Sequence, residues 1–284
     1  MKCFESVNWQ YCLPQHALSR AIAYVANCEI PLIKNTFIQW FIKRYSVDLN
    51  ESVIEDPQEF DSFNQFFTRA LKADARPIAS GLNQLIAPAD GQLSEYGQLC
   101  SGQLLQAKGQ SYSVAALLGG DAALAEAFHD GHYLTVYLAP SNYHRVHMPF
   151  EGRLIKMIHV PGQLFSVNAK TAAEVPNLFA RNERVICLFD TSFGPMAVIL
   201  VGAMIVASIA TVWHGQVTPV THAIQTWDYV ASPVLTLAKG AEMGRFYLGS
   251  TAIVLTPAQA VVFAEDLSVG QPLKMGQALG TIFK

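Results

Sequence analysis

An aspartate, a histidine and a serine stand in the order Asp90, His147, Ser250. Side chains of these types can form a triad in which the carboxylate orients the imidazole and the imidazole takes the hydroxyl proton, though order alone identifies no enzyme. Each also has a plainer reading. Asp90 in Pro88-Ala89-Asp90-Gly91 has the composition of a turn. Ser250 in Leu248-Gly249-Ser250-Thr251 reads as a glycine-rich turn entering a strand, without the G-x-S-x-G spacing of a hydrolase elbow. His144 and His147, in Tyr143-His144-Arg145-Val146-His147, point to opposite faces if the segment is extended. Pro140 and Pro149 disfavour helix there, and no local carboxylate completes a facial site, so no metal is expected. A histidine working as general acid or base fits better. Lys239-Gly240-Ala241-Glu242-Met243-Gly244 has glycines but neither Walker nor Rossmann spacing, so nucleotide binding is unsupported.

The elements that must position these residues change character along the chain. Residues 14–45 read as helical, with Ala17, Leu18, Ala21, Ile22 and Val25 at helical spacing after Pro14. A second helix from Pro31 carries Ile30, Ile33, Phe37, Ile38, Phe41 and Ile42 as one stripe, with Lys34, Gln39 and Lys43 off it. Trp40 and Tyr45 beside Lys43 and Arg44 suit a helix lying in a membrane interface, although packing on its own domain has the same pattern. Residues 57–72 predict a further helix from Pro57, with Phe60, Phe63, Phe66, Phe67 and Leu71 at helical intervals. From residue 85 short β-rich runs alternate with turn signals, with one helical interruption around Val114–Phe128. Pro195 to Trp213 is apolar enough to suggest a bilayer span, but it lacks basic flanks and is rich in β-branched residues. Two buried strands joined at Val201-Gly202-Ala203 explain it better. The expected fold class is α+β: N-terminal amphipathic helices (residues 1–80), then a mostly β, barrel-sandwich-like catalytic domain (residues 81–284).

Composition sets the limits. With 284 residues, 51% hydrophobic and only 14% charged, the chain can bury a large core and is not disordered. A formal charge of −3 gives no basic field for nucleic acid. The charge is uneven: residues 1–45 hold Lys2, Arg20, Lys34, Lys43 and Arg44 against Glu5 and Glu29, pointing to an anionic surface. Five cysteines (Cys3, Cys12, Cys28, Cys100, Cys187) without a C-x-x-C pair fit a reducing compartment rather than a disulfide framework. The N-terminus does not read as a signal peptide.

In order and spacing, the chain closely resembles the bacterial phosphatidylserine decarboxylase proenzymes. The resemblance runs through Phe66-Phe67-Thr68-Arg69, Leu71-Lys72, Arg76-Pro77-Ile78, Pro88-Ala89-Asp90-Gly91, Leu138-Ala139-Pro140 and Tyr143 to Pro149. It continues with Phe165-Ser166-Val167-Asn168, Asn182-Glu183-Arg184, Val201-Gly202-Ala203, Lys239 to Phe246 and Leu248-Gly249-Ser250-Thr251. Asn142 stands where an acidic residue is common. The resemblance implies a proenzyme that cuts itself between Gly249 and Ser250, giving a β chain (1–249) and an α chain (250–284). His147 would take the Ser250 proton and Asp90 would hold the imidazole while Ser250 attacks the Gly249 carbonyl. β-Elimination at the resulting ester, then tautomerisation and loss of ammonia, would leave a covalent pyruvoyl group (pyruvate derived from Ser250). That group would form a Schiff base with phosphatidylserine and act as electron sink when CO₂ leaves, giving phosphatidylethanolamine. His144 is the candidate proton donor to the carbanion. The resemblance further implies a peripheral protein on the cytoplasmic side of the inner membrane, its leader on an anionic membrane surface, and αβ units associating as a dimer.

Two other readings keep the chain uncut: a serine hydrolase using Asp90, His147 and Ser250, and a barrel-sandwich carrier or binding module. The stretch from Val269 to Gly280 resembles a hairpin of lipoyl-type domains, in which Lys274 reads as a surface lysine beside a turn rather than a carrier lysine.

Overall fold

The computed structural model describes residues 7–107, 109–204, 208–218, 223–231, 234–247 and 250–283, with Ser250 described by its backbone. Leu248, Gly249 and Cys3 lie outside the described residues.

Strands Arg184–Thr191 and Gly194–Val201 are near-continuous apolar runs, and both are buried along almost their whole length. Strands buried on both faces belong in the interior of a sheet. Side chains alternate across it: Val185, Cys187, Met196 and Val198 join one apolar cluster, and Ile186, Leu188, Ala197 and Ile199 join the other. The sheet is nine-stranded and antiparallel, in the order Gln225–Asp228, Gly152–Val160, Arg184–Thr191, Gly194–Val201, Ser250–Thr256, His132–Leu138, Gly91–Gln98, Pro272–Leu273, with Thr236–Leu237 also pairing Gly152–Val160. A four-stranded sheet orders Gly215–Gln216, Ser208–Thr211, Glu242–Tyr247 and Arg145–His147. A three-stranded sheet holds Gln84–Ile86, Ala278–Ile282 and Val261–Phe263. The β-rich body agrees with the sequence, but no closed barrel forms among the described residues.

The apolar stretch at residues 195–213 is two strands of different sheets, turned at Gly202 and Ala203. No helix among the described residues is long and apolar enough to cross a membrane.

The leader contains α1 (Gln15–Ala26), α2 (Pro31–Tyr45) and α3 (Phe63–Phe67). The helix predicted over 57–72 is thus only five residues long. The cause is Lys34, predicted to lie off the buried stripe but buried instead. Its ammonium donates to the carbonyls of Gln58 and Phe60, drawing them away from helical acceptor roles. The Ser62 side chain then caps α3 by accepting from Gln65 N–H. Phe41, Phe60, Phe63, Phe66 and Phe67 interlock below, with Phe41 edge-on to Phe63 at 5.0 Å. Around Val114–Phe128 the expected helical interruption is two short helices, Val114–Leu117 and Ala122–Glu126, separated at Gly119-Gly120. Lys274 sits on the surface, paired with Glu51 at 3.2 Å.

Candidate active site

The chain passes between the large sheet and the four-stranded one three times. Leu138 leads through residues 139–144 to Arg145, Val201 leads through 202–207 to Ser208, and Tyr247 leads through 248–249 to Ser250. Register holds them together: Ser250 opposes Leu138, Thr251 opposes Val201, and Tyr247 opposes Ser208. Ser250 follows an interior strand of the four-stranded sheet in sequence and opens a strand bonded on both sides in the large one.

His147 lies opposite Glu242, at the start of the strand that leads to Ser250. Its amide donates to the Pro88 carbonyl at 2.7 Å, tying it to the Pro88-Ala89-Asp90-Gly91 turn. Its Nδ1 is 2.8 Å from the Gly240 carbonyl, and its Nε2 is 2.9 Å from the Tyr143 hydroxyl. A carbonyl only accepts, so Nδ1 carries the proton and Nε2 presents its lone pair, here accepting from Tyr143. Burial lowers the imidazole pKa, opposed by the Gly240 hydrogen bond, so the ring is neutral at neutral pH. Gly240 can approach because it is glycine: its φ is +80°, and a Cβ would meet Ile78 Cδ1 at 2.9 Å.

Asp90 is buried close to His147, yet no hydrogen bond links them among the described residues. Its carboxylate instead takes Arg76 Nε at 2.8 Å and the Met275 amide at 2.9 Å, with Arg76 Nη2 on the other oxygen. Arg76 also reaches Glu51 at 2.7 Å. The acceptor facing Nδ1 of His147, expected to be Asp90, is thus the Gly240 carbonyl. Asp90 acts on His147 through space, favouring its protonated form, and through the shared turn. Gly91 lets this turn pass the sheet, since a Cβ there would lie 2.3 Å from the Tyr137 carbonyl.

His144 is fully buried in the 139–144 crossing and stacks on Phe67, with centroids 3.9 Å apart. Its Nε2 is 3.1 Å from the Ala139 carbonyl, so Nε2 carries the proton and Nδ1 is left a bare acceptor without a partner. Burial, with the Arg69 cation second, lowers its pKa to about 3. A ring in that state accepts a proton before it can give one, unlike the plain donor expected. Its backbone carbonyl accepts from Phe246 N–H, near the end of the strand that leads to Ser250. His144 is thus level with Phe246 on that strand, whereas His147 is level with Glu242. The fixing role of Gly240 and the part of Tyr143 were missed, because neither a backbone carbonyl nor a phenol four residues from a histidine leaves a sequence signal.

A family model described as phosphatidylserine decarboxylase matches residues 63–281, and a second, described as PSD, matches residues 6–46. The chain belongs to the phosphatidylserine decarboxylase family. It is 55% identical over 275 residues to the phosphatidylserine decarboxylase proenzyme of Alcanivorax borkumensis, covering 96% of this chain and 94% of the relative. It is 56% identical over 272 residues to the proenzyme of Pseudomonas aeruginosa PAO1, covering 95% and 94%. With the Azotobacter vinelandii proenzyme the identity is 54% over 273 residues, covering 95% and 96%. Membership of the phosphatidylserine decarboxylase family sets aside the uncut hydrolase and the carrier module.

Proposed function

We propose that the chain is a self-processing lyase that decarboxylates phosphatidylserine to phosphatidylethanolamine, using a pyruvoyl group made from Ser250. The supporting observation is the state of His147: a buried imidazole, neutral, with its proton fixed on Nδ1 by a carbonyl and its lone pair at Nε2 held by the Tyr143 hydroxyl. Such a ring can take the Ser250 hydroxyl proton once Tyr143 yields its place. The hydroxyl oxygen then adds to the Gly249 carbonyl, and the bond to the Ser250 nitrogen breaks as that nitrogen gains a proton. Loss of the Ser250 α-proton expels the Gly249 carboxylate, and hydrolysis of the resulting enamine by water releases ammonia.

Residue 250 suits the finished group as well. Only a hydroxyl or thiol residue can undergo this elimination, and a serine opens a central strand held by neighbours on both sides. A pyruvoyl group supplies a ketone that captures the substrate amine and withdraws electrons as CO₂ leaves. His144 Nδ1, unpartnered and buried, takes a proton given up by the substrate ammonium as the Schiff base forms and returns it to the carbon left by CO₂. The α chain stays bound after cleavage because Ser250–Thr256 pairs with both Gly194–Val201 and His132–Leu138. Two such αβ units associate in the same reading.

The leader brings the site to its lipid. α1 turns polar residues inward: Gln15 and Ser19 are buried, and Gln15 accepts from Leu164 N–H at 2.7 Å. Apolar residues face out instead, with Tyr24 84% and Leu32 79% exposed, joined by Trp40. An outward apolar face near Arg20, Lys43 and Arg44 supports in-plane binding to an anionic membrane, on the cytoplasmic side of the inner membrane.

The test is CO₂ release from carboxyl-labelled phosphatidylserine in mixed micelles. The wild type releases it, and Ser250→Ala remains uncut and inactive. Full activity in Ser250→Ala would overturn the reading.

A further inference from the structure

We propose that a cavity between the leader and the four-stranded sheet, lined by Arg69, Arg145 and Arg245, binds the phosphodiester of the substrate head group. The inference rests on the substrate class proposed above and adds to it the place where the phosphate is held.

The cavity has a volume of about 300 Å³, and Ser52, Gln65 and Thr68 also line it. Arg69 is only 5% exposed. Its Nη2 donates to the carbonyls of Ser141 at 3.0 Å and Asn142 at 3.4 Å, while Nε and Nη1 are buried without a partner. A buried guanidinium with two idle donor nitrogens is rare in a folded protein, and a water or an anion completes it. Arg145 donates to Glu242 at 2.9 Å and to the Thr68 carbonyl at 2.9 Å, and Arg245 reaches the same Glu242 at 2.6 Å. One carboxylate thus serves two of three guanidiniums, and the third has none. The planar, forked donors of arginine match a phosphate better than a single ammonium does.

Position links the cavity to the reaction. The carbonyls held by Arg69 belong to the 139–144 crossing, which begins at Leu138 opposite Ser250 and ends at His144. The head group offers two anions, a carboxylate and a phosphodiester. Cations holding the carboxylate would stabilise the ground state that CO₂ loss must leave, whereas the phosphodiester is unchanged from substrate to product. The cavity therefore fits the phosphodiester.

Calorimetry with sn-glycero-3-phosphoglycerol, an amine-free phosphodiester, on the matured wild-type protein tests this, with inorganic phosphate as a second probe. The diester is expected to bind, and Arg245→Gln and Arg69→Lys to weaken it roughly tenfold or more. Both variants raise KM for phosphatidylserine by a similar factor while kcat changes far less. Arg245 is 30% exposed, so Arg245→Gln decides the matter if Arg69→Lys fails to fold. Unchanged diester binding and KM would overturn the proposal. Binding of inorganic phosphate alone would overturn it too, making the cavity a site for free phosphate. A wild type that binds the diester through these arginines yet releases no CO₂ would sink the decarboxylase reading and leave the anion site standing.

Discussion

The Gly240 carbonyl accepts the Nδ1 proton of His147 at 2.8 Å, a place that a carboxylate takes in a serine-protease triad. A neutral carbonyl fixes the tautomer as well as a carboxylate would, but it stabilises an imidazolium less. The base is thereby weakened and kept neutral, which suits a serine that must be activated only once in the life of the chain.

Self-cleavage should follow the neutral form of His147. Its pKa lies below the ordinary value near 6.5, so the rate should be level at neutral and alkaline pH and fall only in acid. His147→Ala should stay uncut. Cleavage that quickens as pH drops from 7 to 5, followed by gel densitometry of freshly refolded precursor, would contradict this role.

Asp90 should matter to the fold at least as much as to the imidazole. Removing it leaves Arg76 buried beside Glu51 alone, and breaking a buried pair on one side costs about 3 kcal/mol. In an uncut Ser250→Ala background, Asp90→Ala should lower urea stability by about that amount. A loss under about 0.5 kcal/mol would show that the pair is solvated.

His144 gives the fold an acid-sensitive point. Its folded pKa is about 3 against about 6.5 unfolded, so between these values the unfolded chain binds the extra proton. This contribution is fully present above about pH 6.5 and is lost as pH falls towards 3, at up to about 1.4 kcal/mol per pH unit. Urea midpoints of the Ser250→Ala precursor from pH 8 to 4 should show this slope, and His144→Gln should flatten it by one proton.

Membrane binding should depend on the outward apolar face of the leader. Leu32→Glu should weaken flotation with anionic vesicles roughly tenfold without changing Tm, because the Leu32 side chain already faces solvent. Unchanged flotation would place the contact elsewhere.

The sequence disclosed most where pattern and packing agree. Strands at Arg184–Thr191 and Gly194–Val201 are legible because burial on both faces demands unbroken apolar runs. Helices α1 and α2 are legible from their spacing, and the Phe37, Ile38, Phe41 and Ile42 part of the α2 stripe does pack inward. Lys34, however, turns in to two carbonyls, Ile30 and Ile33 stay exposed, and α1 buries Gln15 and Ser19 instead of its apolar stripe. Asp90, His147 and Ser250 stand out through the family resemblance, since in isolation Asp90 and Ser250 read as turn residues. Their partners do not, because Arg76 lies outside the motif around Asp90 and Gly240 contributes only its backbone. The arginine cavity was equally hidden: Arg69, Arg145 and Arg245 meet only when the leader folds onto the four-stranded sheet.

The central claim, that the chain cuts itself at Ser250 and converts that residue, is met most directly by intact mass under denaturing conditions. The account predicts two species, residues 1–249 and residues 250–284, the smaller with a blocked N-terminus lighter than serine. A single full-length mass after prolonged incubation with anionic phospholipid would contradict it.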